Sequence, residues 1–267
     1  MDTQNPHYLN RLQRLLPEGL LVDADWMSRQ GYSTSLRSKY VRAGWLYQPI
    51  KRVFRRTDVR LNWQQAVLSL QMTLNKNLVV GGRTALELQG YAHYVPRRMK
   101  AVHVYGPEKP PSWLRNLPAG VPFIWHNSAR VFTRFPKQLN ADALPPEFTA
   151  LEWGQWDWKL ILSSPERAVL ELLDEVPDRE SFHQADKLFE SLTNISPKKM
   201  ENLLLDCHNI KVKRLFFFFA DRHEHAWLRR INRSKIDLGK GKRMLVRGGT
   251  LNKAYAITVP KDLDDVA

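Results

Sequence analysis

The sequence predicts an α+β protein: an N-terminal winged helix-turn-helix followed by a larger mixed α/β domain with a helical subdomain. Three observations carry this. Two short helical signals joined by a glycine stand directly before an extended basic segment near the N-terminus. Short apolar bursts between residues 78 and 162, broken by glycine and proline, have the texture of strands. Three successive segments between residues 164 and 207 place apolar residues at i, i+3, i+4, i+7, the period of an amphipathic helix. The expected division is residues 1–76 for the winged helix and 77–267 for the second domain, with the helical subdomain at about 164–231.

Composition narrows the class of function. The chain has 267 residues, 43% of them hydrophobic, enough to bury a real core. It carries 41 Lys and Arg against 27 Asp and Glu, a net charge of +14, which favours polyanionic partners such as nucleic acid. Its longest apolar run, Leu215 to Ala220, is far below the roughly 20 residues of a membrane span. The opening Met1-Asp-Thr-Gln-Asn-Pro lacks the basic and apolar regions of a secretory leader, so a cytoplasmic protein is expected. The single cysteine, Cys207, excludes an internal disulfide and cannot alone build a structural zinc site.

Tyr8, Leu12, Leu15 and Leu16 form the apolar stripe of a first helix, stopped by Pro17 and Gly19. A second helix is expected to start at Asp23, whose carboxylate can cap free amides, and to end at Gly31. The third follows with Ser33, Thr34 and Ser35 as competing caps, Leu36, Tyr40 and Val41 as its inner face, and Gly44 as its stop. An extended pair comes next: Trp45-Leu46-Tyr47, a turn around Gln48-Pro49-Ile50, then Lys51 to Arg56 with four cations in six residues. In a helix-turn-helix the second helix enters the major groove, and a basic wing beside it lies on phosphates.

In the second domain, Leu78-Val79-Val80 reads as a strand leading through Gly81-Gly82 into a helix that ends at Gly90. A G-x-x-x-x-G-K-[ST] phosphate loop is absent, so the glycines are read as close strand-to-helix packing. Residues 101–105, 121–125 and 151–162 read as strands, the last holding Trp153, Trp156 and Trp158. Ser164-Pro165 and Ser196-Pro197 are cap-then-proline helix starts. The stripes are Val169, Leu172, Leu173, Val176, then Ala185, Leu188, Phe189, Leu192, then Met200, Leu203, Leu204, Cys207. A longer helix is expected from Val212 to Ile231, and strands at Arg243–Val246 and Ala254–Val259 flank a Gly248-Gly249 turn. Charge is segregated: residues 165–206 carry ten acids and five bases, residues 207–253 thirteen bases and three acids.

Catalytic patterns are weak. In Asp221-Arg-His223-Glu-His225 the histidines are two apart and point about 200° apart on a helix, so they cannot share a metal unless the helix breaks there. Asp157-Trp158-Lys159 has the acid-x-lysine spacing of metal-dependent nucleases, with only Glu152 as a loose further acid, and a structural strand explains it better. Gly239-Lys240-Gly241-Lys242-Arg243 reads as a flexible basic turn with affinity for phosphate. No catalytic residue, metal site or cofactor is expected.

The order of several short motifs resembles the AbiEi-type antitoxins of type IV toxin–antitoxin pairs. They are Gly31-Tyr-Ser-Thr-Ser-Leu36, Arg52-Val-Phe54-Arg, Gly82-Arg-Thr-Ala-Leu-Glu-Leu-Gln-Gly90 and Ser164-Pro-Glu-Arg-Ala-Val-Leu-Glu-Leu172. The tail adds Val212-Lys-Arg-Leu215, Ala220-Asp-Arg-His223, His225-Ala-Trp227, Ile236-Asp-Leu-Gly-Lys-Gly-Lys-Arg243 and Ile257-Thr-Val-Pro260. The resemblance implies a winged-helix autorepressor that binds double-stranded operator DNA. It also implies a second domain that counters a nucleotidyltransferase-like toxin, without requiring a stable complex with it. Relatives often carry glycine where this chain has Arg52, and a non-glycine residue tolerates positive φ poorly.

The expectation is therefore a non-enzymatic, DNA-binding antitoxin and autorepressor. Ser33, Thr34, Ser35, Arg37, Ser38, Lys39, Arg42, Lys51, Arg52 and Arg55 are the expected DNA-binding residues. Ser33, Ser35, Arg37, Ser38 and Lys39 should face the groove; Arg42, Lys51, Arg52 and Arg55 should meet phosphates or the flanking minor groove. The expected antitoxin surface is Lys211, Lys213, Arg214, Lys240, Lys242 and Arg243, meeting RNA or an acidic face of the toxin. Two other readings stay open: a winged-helix regulator with a ligand-sensing domain, and a metal-dependent nuclease using Asp157 and Lys159.

Overall fold

The computed structural model describes residues 5–91, 99–154 and 157–264. Helix α1 (Asn5–Leu15) buries Leu12, with Leu16 just beyond it, and leaves Leu15 at the edge of the stripe exposed. A three-residue strand, β1 (Leu21–Asp23), precedes α2 (Ala24–Arg29), and Asp23 caps α2 by accepting from the Trp26 amide at 2.8 Å. Gly31 turns the chain at φ 85°, and Ser33 is the cap of α3 (Thr34–Arg42). Strands β2 (Tyr47–Ile50) and β3 (Val53–Arg55) complete an antiparallel sheet ordered β1-β3-β2. The wing therefore turns at Lys51–Arg52, later than expected, and Pro49 lies on the edge strand, where a missing amide donor is tolerated.

Helix α4 (Trp63–Leu68), closed by an Asn62–Gln65 capping box, continues as a wider turn through Thr73. This segment ties the winged helix to the larger sheet. Ser69 Oγ accepts from the Leu21 amide at 2.7 Å, while Gln71 bonds the carbonyls of Leu78 and Ile161 and the Ile161 amide.

The second sheet has the order β6-β5-β4-β8-β7 and is mixed, with β5 parallel to β6 and β4 parallel to β8. Its strands are β4 (Val79–Val80), β5 (Val102–Gly106), β6 (Phe123–Asn127), β7 (Phe148–Trp153) and β8 (Trp158–Ser163). The single strand expected over 151–162 is thus a hairpin, because Gly154 (φ 81°) and Asp157 (φ 52°) reverse the chain; Trp156 lies outside the described residues. Between β4 and α5 (Gly82–Leu88), a Cβ on Gly81 would lie 2.3 Å from Glu171 Oε2. The glycine pair serves close packing, as expected.

The helices α6 (Pro165–Glu175), α7 (Phe182–Ser191) and α8 (Pro197–Asp206) have their expected buried stripes; Ser164 and Ser196 cap α6 and α8 as expected, and Ser181 caps α7. Helix α9 (Ile210–His223) stops earlier than expected because Glu224 adopts a left-handed conformation (φ 45°) and residues 226–230 form a 3-10 turn. Phe216 to Phe219 are all buried, so α9 is the central helix of this layer. The tail forms one hairpin, β9 (Thr250–Asn252) and β10 (Ile257–Val259). Residues 243–246 are no strand: Arg243 makes an isolated bridge to Ile257, and the Leu245 and Val246 amides end on Thr258 Oγ1.

Candidate nucleic-acid interface

Helix α3 presents Ser33, Thr34, Ser35, Ser38, Lys39 and Arg42 to solvent. Its inner side is Tyr40, buried, with Leu36 and Val41 half-buried. Arg37 departs from expectation: it is 8% exposed and turned inward. Its Nη1 donates to the carbonyl of Ala24 (2.7 Å) and to Ser28 Oγ (2.8 Å), and Nη2 donates to Thr34 Oγ1 (2.8 Å). The guanidinium also lies 5.9 Å from the Phe54 ring centre. Arg37 locks α3 onto α2, and an inward guanidinium does not face a major groove.

Arg55 departs more sharply. It lies on β3, the middle strand, and is 1% exposed, so it cannot meet a phosphate. Burial lowers its pKa, and its Nε and Nη2 find no hydrogen-bond partner among the described residues. Arg56 of the same basic run donates to the carbonyls of Gln13 and Leu16. Two of the four wing cations are thus structural.

The other two, Lys51 and Arg52, are exposed at the wing tip. Arg52 occupies the left-handed region at φ 69°, which a non-glycine residue tolerates poorly. The turn forms nonetheless. The Ala24 amide donates to Arg52 O at 2.8 Å, and Arg52 Nη2 meets Asp25 Oδ1 at 2.6 Å across an exposed ion pair. The sequence marks Asp25 only by its place in the first turn of α2, beside the Asp23 cap. Arg29, exposed in the last turn of α2, is a further cation without an ion pair among the described residues.

The six tail residues do not form one surface. Lys211 is half-buried, its Nζ donating to the carbonyls of Asp174 (2.6 Å) and Val176 (2.9 Å). Lys213 is buried, and Arg214 is 3% exposed beneath the loop that follows α9. Arg214 Nε bonds Leu238 O (2.7 Å), and Nη1 bonds Gly241 O (2.7 Å) and Ala256 O (3.3 Å). Lys240, Lys242 and Arg243 stand exposed on that loop.

The remaining candidate chemistry is dispersed. The helix does break after His223, but His223 bonds Asp186 (2.9 Å) and His225 bonds the carbonyl of Phe189 (2.6 Å). Among the described residues no three His, Cys, Asp or Glu side chains gather as a metal site would require. Asp157 lies exposed in the β7–β8 turn, and Lys159 pairs with Asp142 at 2.6 Å. No helix of the described residues is long and apolar enough to cross a membrane.

A buried polar network lies between the five-stranded sheet and α6. Glu171 accepts from the Gly82 amide (3.0 Å), Ser163 Oγ (3.0 Å) and Arg167 Nε (2.9 Å). His103 Nδ1 contacts His126 Nε2 at 2.9 Å, His126 Nδ1 contacts Glu175 Oε1 at 3.0 Å, and Arg179 closes the chain on Glu175 at 3.1 Å. Burial and the neighbouring His126 push His103 down to about 4. Burial would raise Glu175, but its bonds to His126 and Arg179 outweigh that and hold it at about 2.

A family model described as a transcriptional regulator, AbiEi antitoxin N-terminal domain, matches residues 5–97. Another, described as a transcriptional regulator, AbiEi antitoxin, type IV TA system, matches residues 99–260. No curated protein matches the chain. The crystal structure of the RV2827C protein from Mycobacterium tuberculosis is similar, with a TM-score of 0.56 at 14% identity, covering 100% of this chain and 95% of that one. At that identity the likeness speaks for the fold alone.

Proposed function

Because this chain belongs to the AbiEi antitoxin family, transcriptional regulators of type IV toxin–antitoxin systems, we propose that it represses its own operon and counters a nucleotidyltransferase-like toxin. Residues 1–76 bind operator DNA on this reading, and residues 77–267 carry the antitoxin work. It is a binding protein rather than an enzyme.

The observation that carries the DNA-binding half is the outer face of α3. With Arg37 turned inward, Ser35, Ser38, Lys39 and Arg42 are exposed together on a helix capped by Ser33. Short hydroxyls and flexible cations on one helix face suit base edges and the flanking phosphates. Lys51 and Arg52 reach the backbone from the wing tip.

The test uses the full-length chain. Lys39→Ala with Arg42→Ala should weaken operator binding by about tenfold or more and shrink its margin over random duplex. Expressed from an unrelated promoter, the same variant should still rescue cells from the neighbouring toxin. Unchanged operator affinity would reject the α3 assignment. Loss of rescue with normal folding would reject the division of labour between the two parts.

A further inference from the structure

The loop between α9 and β9 has an unusual construction. Its exposed side carries Lys240, Lys242 and Arg243, and its inner side is held by Arg214. That one guanidinium takes carbonyls from Leu238 and Gly241 of the loop and Ala256 of the tail hairpin. Ala256 O also accepts from the Arg243 amide at 2.8 Å, which brings the β9–β10 turn, with exposed Lys253, against the loop. Gly239 N donates to Asp237 Oδ1 at 2.7 Å, and Gly239 (φ 63°) and Gly241 (φ 78°) give the backbone the left-handed steps it needs.

A loop with cations at alternate glycines would ordinarily be loose. Here its backbone is fixed from beneath, while among the described residues none of Lys240, Lys242, Arg243 or Lys253 is in an ion pair. Met244 stands among them, 71% exposed. The centres of protein–protein interfaces are depleted of lysine, whereas three of the four exposed cations of this patch are Lys240, Lys242 and Lys253. An irregular loop lacks the helix or two-stranded ribbon that reads base edges in a duplex groove, so sequence-specific duplex recognition does not suit it. Cations held on a fixed backbone, with the exposed Arg243 guanidinium among them to stack on a base, suit the phosphates and unstacked bases of single-stranded RNA segments.

We propose that the 237–243 loop, pinned by Arg214 and joined by the β9–β10 turn, is an RNA-binding surface separate from the winged helix. It contacts the phosphodiester backbone without reading sequence. The assignment deepens the antitoxin reading of residues 77–267 and rests on it for its biological role, but the binding itself is measured on purified protein.

The experiment compares the full-length chain with its Lys240→Ala/Lys242→Ala/Arg243→Ala variant. The probes are a labelled RNA hairpin of arbitrary sequence with single-stranded flanks, and the operator duplex. The wild-type chain should bind the RNA at about 0.1 M salt. The variant should bind it about tenfold or more weakly, with a salt slope flatter by about two units, because about 0.7 counterions per lost contact are released from single strands. Operator affinity and the thermal melt should be unchanged. RNA affinity and slope retained by the variant would overturn the proposal, and so would equal losses on RNA and operator. Failure of toxin rescue with RNA binding intact would instead reject the antitoxin reading and leave this surface standing.

Discussion

The Arg37 guanidinium donates to Ala24 O at 2.7 Å, so a cation of α3 is bound to α2, the helix before it. Its bond to Ser28 also reaches α2, so the two contacts together set how α3 sits on α2, while the bond to Thr34 stays within α3 and holds the guanidinium in place. Arg37→Ala should therefore act on stability first, lowering it by about 2–3 kcal/mol, since charged hydrogen bonds to buried groups are lost. Urea denaturation measures the loss. Well below the melting point, operator and random-duplex affinities should keep their ratio. A collapsed ratio at unchanged stability would return Arg37 to base reading.

Arg52 holds a left-handed turn that glycine would adopt freely. Arg52→Gly relieves about 1–2 kcal/mol of backbone strain, offset by about 0.5–1 kcal/mol of glycine entropy. The Asp25 pair is exposed and contributes little. Denaturation midpoints should stay the same or rise slightly, while affinity for any duplex falls as one cation leaves the wing.

Lys51 is exposed at the same tip and has no ion pair among the described residues. Lys51→Ala should weaken operator and random duplex alike and flatten the salt slope by about one unit. Binding titrations at several salt concentrations would detect a sequence-dependent loss, which would contradict a phosphate contact.

Glu171 is the counter-charge of buried Arg167, which also lies 4.0 Å from the Phe132 ring centre. Glu171→Gln keeps the shape but removes the charge. Breaking such a pair costs about 3–5 kcal/mol, because an uncompensated buried cation remains. Chemical denaturation should show a loss of that order; a change below about 1 kcal/mol would mean the cavity rearranges to hydrate Arg167.

The histidine chain predicts a stability that depends on acidity. His103 is depressed to about 4, so between about 4 and its ordinary 6.5 the unfolded chain binds the proton and the folded one does not. Stability is full above pH 6.5 and falls by about 2–3 kcal/mol as the pH drops to 4. Glu175, held at about 2, adds a second loss between its ordinary 4.5 and 2. Denaturation from pH 7.5 to 3 follows both, and His103→Gln should flatten the upper limb. An unaltered profile in that variant would assign the loss to other groups.

Cap chemistry is local, and so it was legible: Asp23, Ser33, Ser164 and Ser196 all cap the helices their positions announce. The same holds for the stripes of α6, α7 and α8, whose apolar residues are buried as spaced. What escaped the sequence depends on distant partners. Strand β1 is three residues long, too short for a periodic signal, yet it makes β3 the middle strand and buries Arg55. Arg37 turns inward because Ala24 and Ser28 are there to receive it. Arg214 is drawn under a loop that begins more than twenty residues later in the chain. Charge counts over residues 207–253 cannot divide those cations between the ones that face water and the ones that hold the backbone.

Ser69 and Gln71 fasten β1 of the winged helix and β8 of the larger sheet to one short segment. One apolar core runs from Leu12 on α1 to Leu263 near the end of the described chain. Global unfolding therefore takes both halves together, because their buried residues belong to one core. On the function proposed above, promoter silencing and toxin restraint would then vanish at the same moment, with no interval in which one survives without the other. The half-life of the folded chain would set the timing of the whole response.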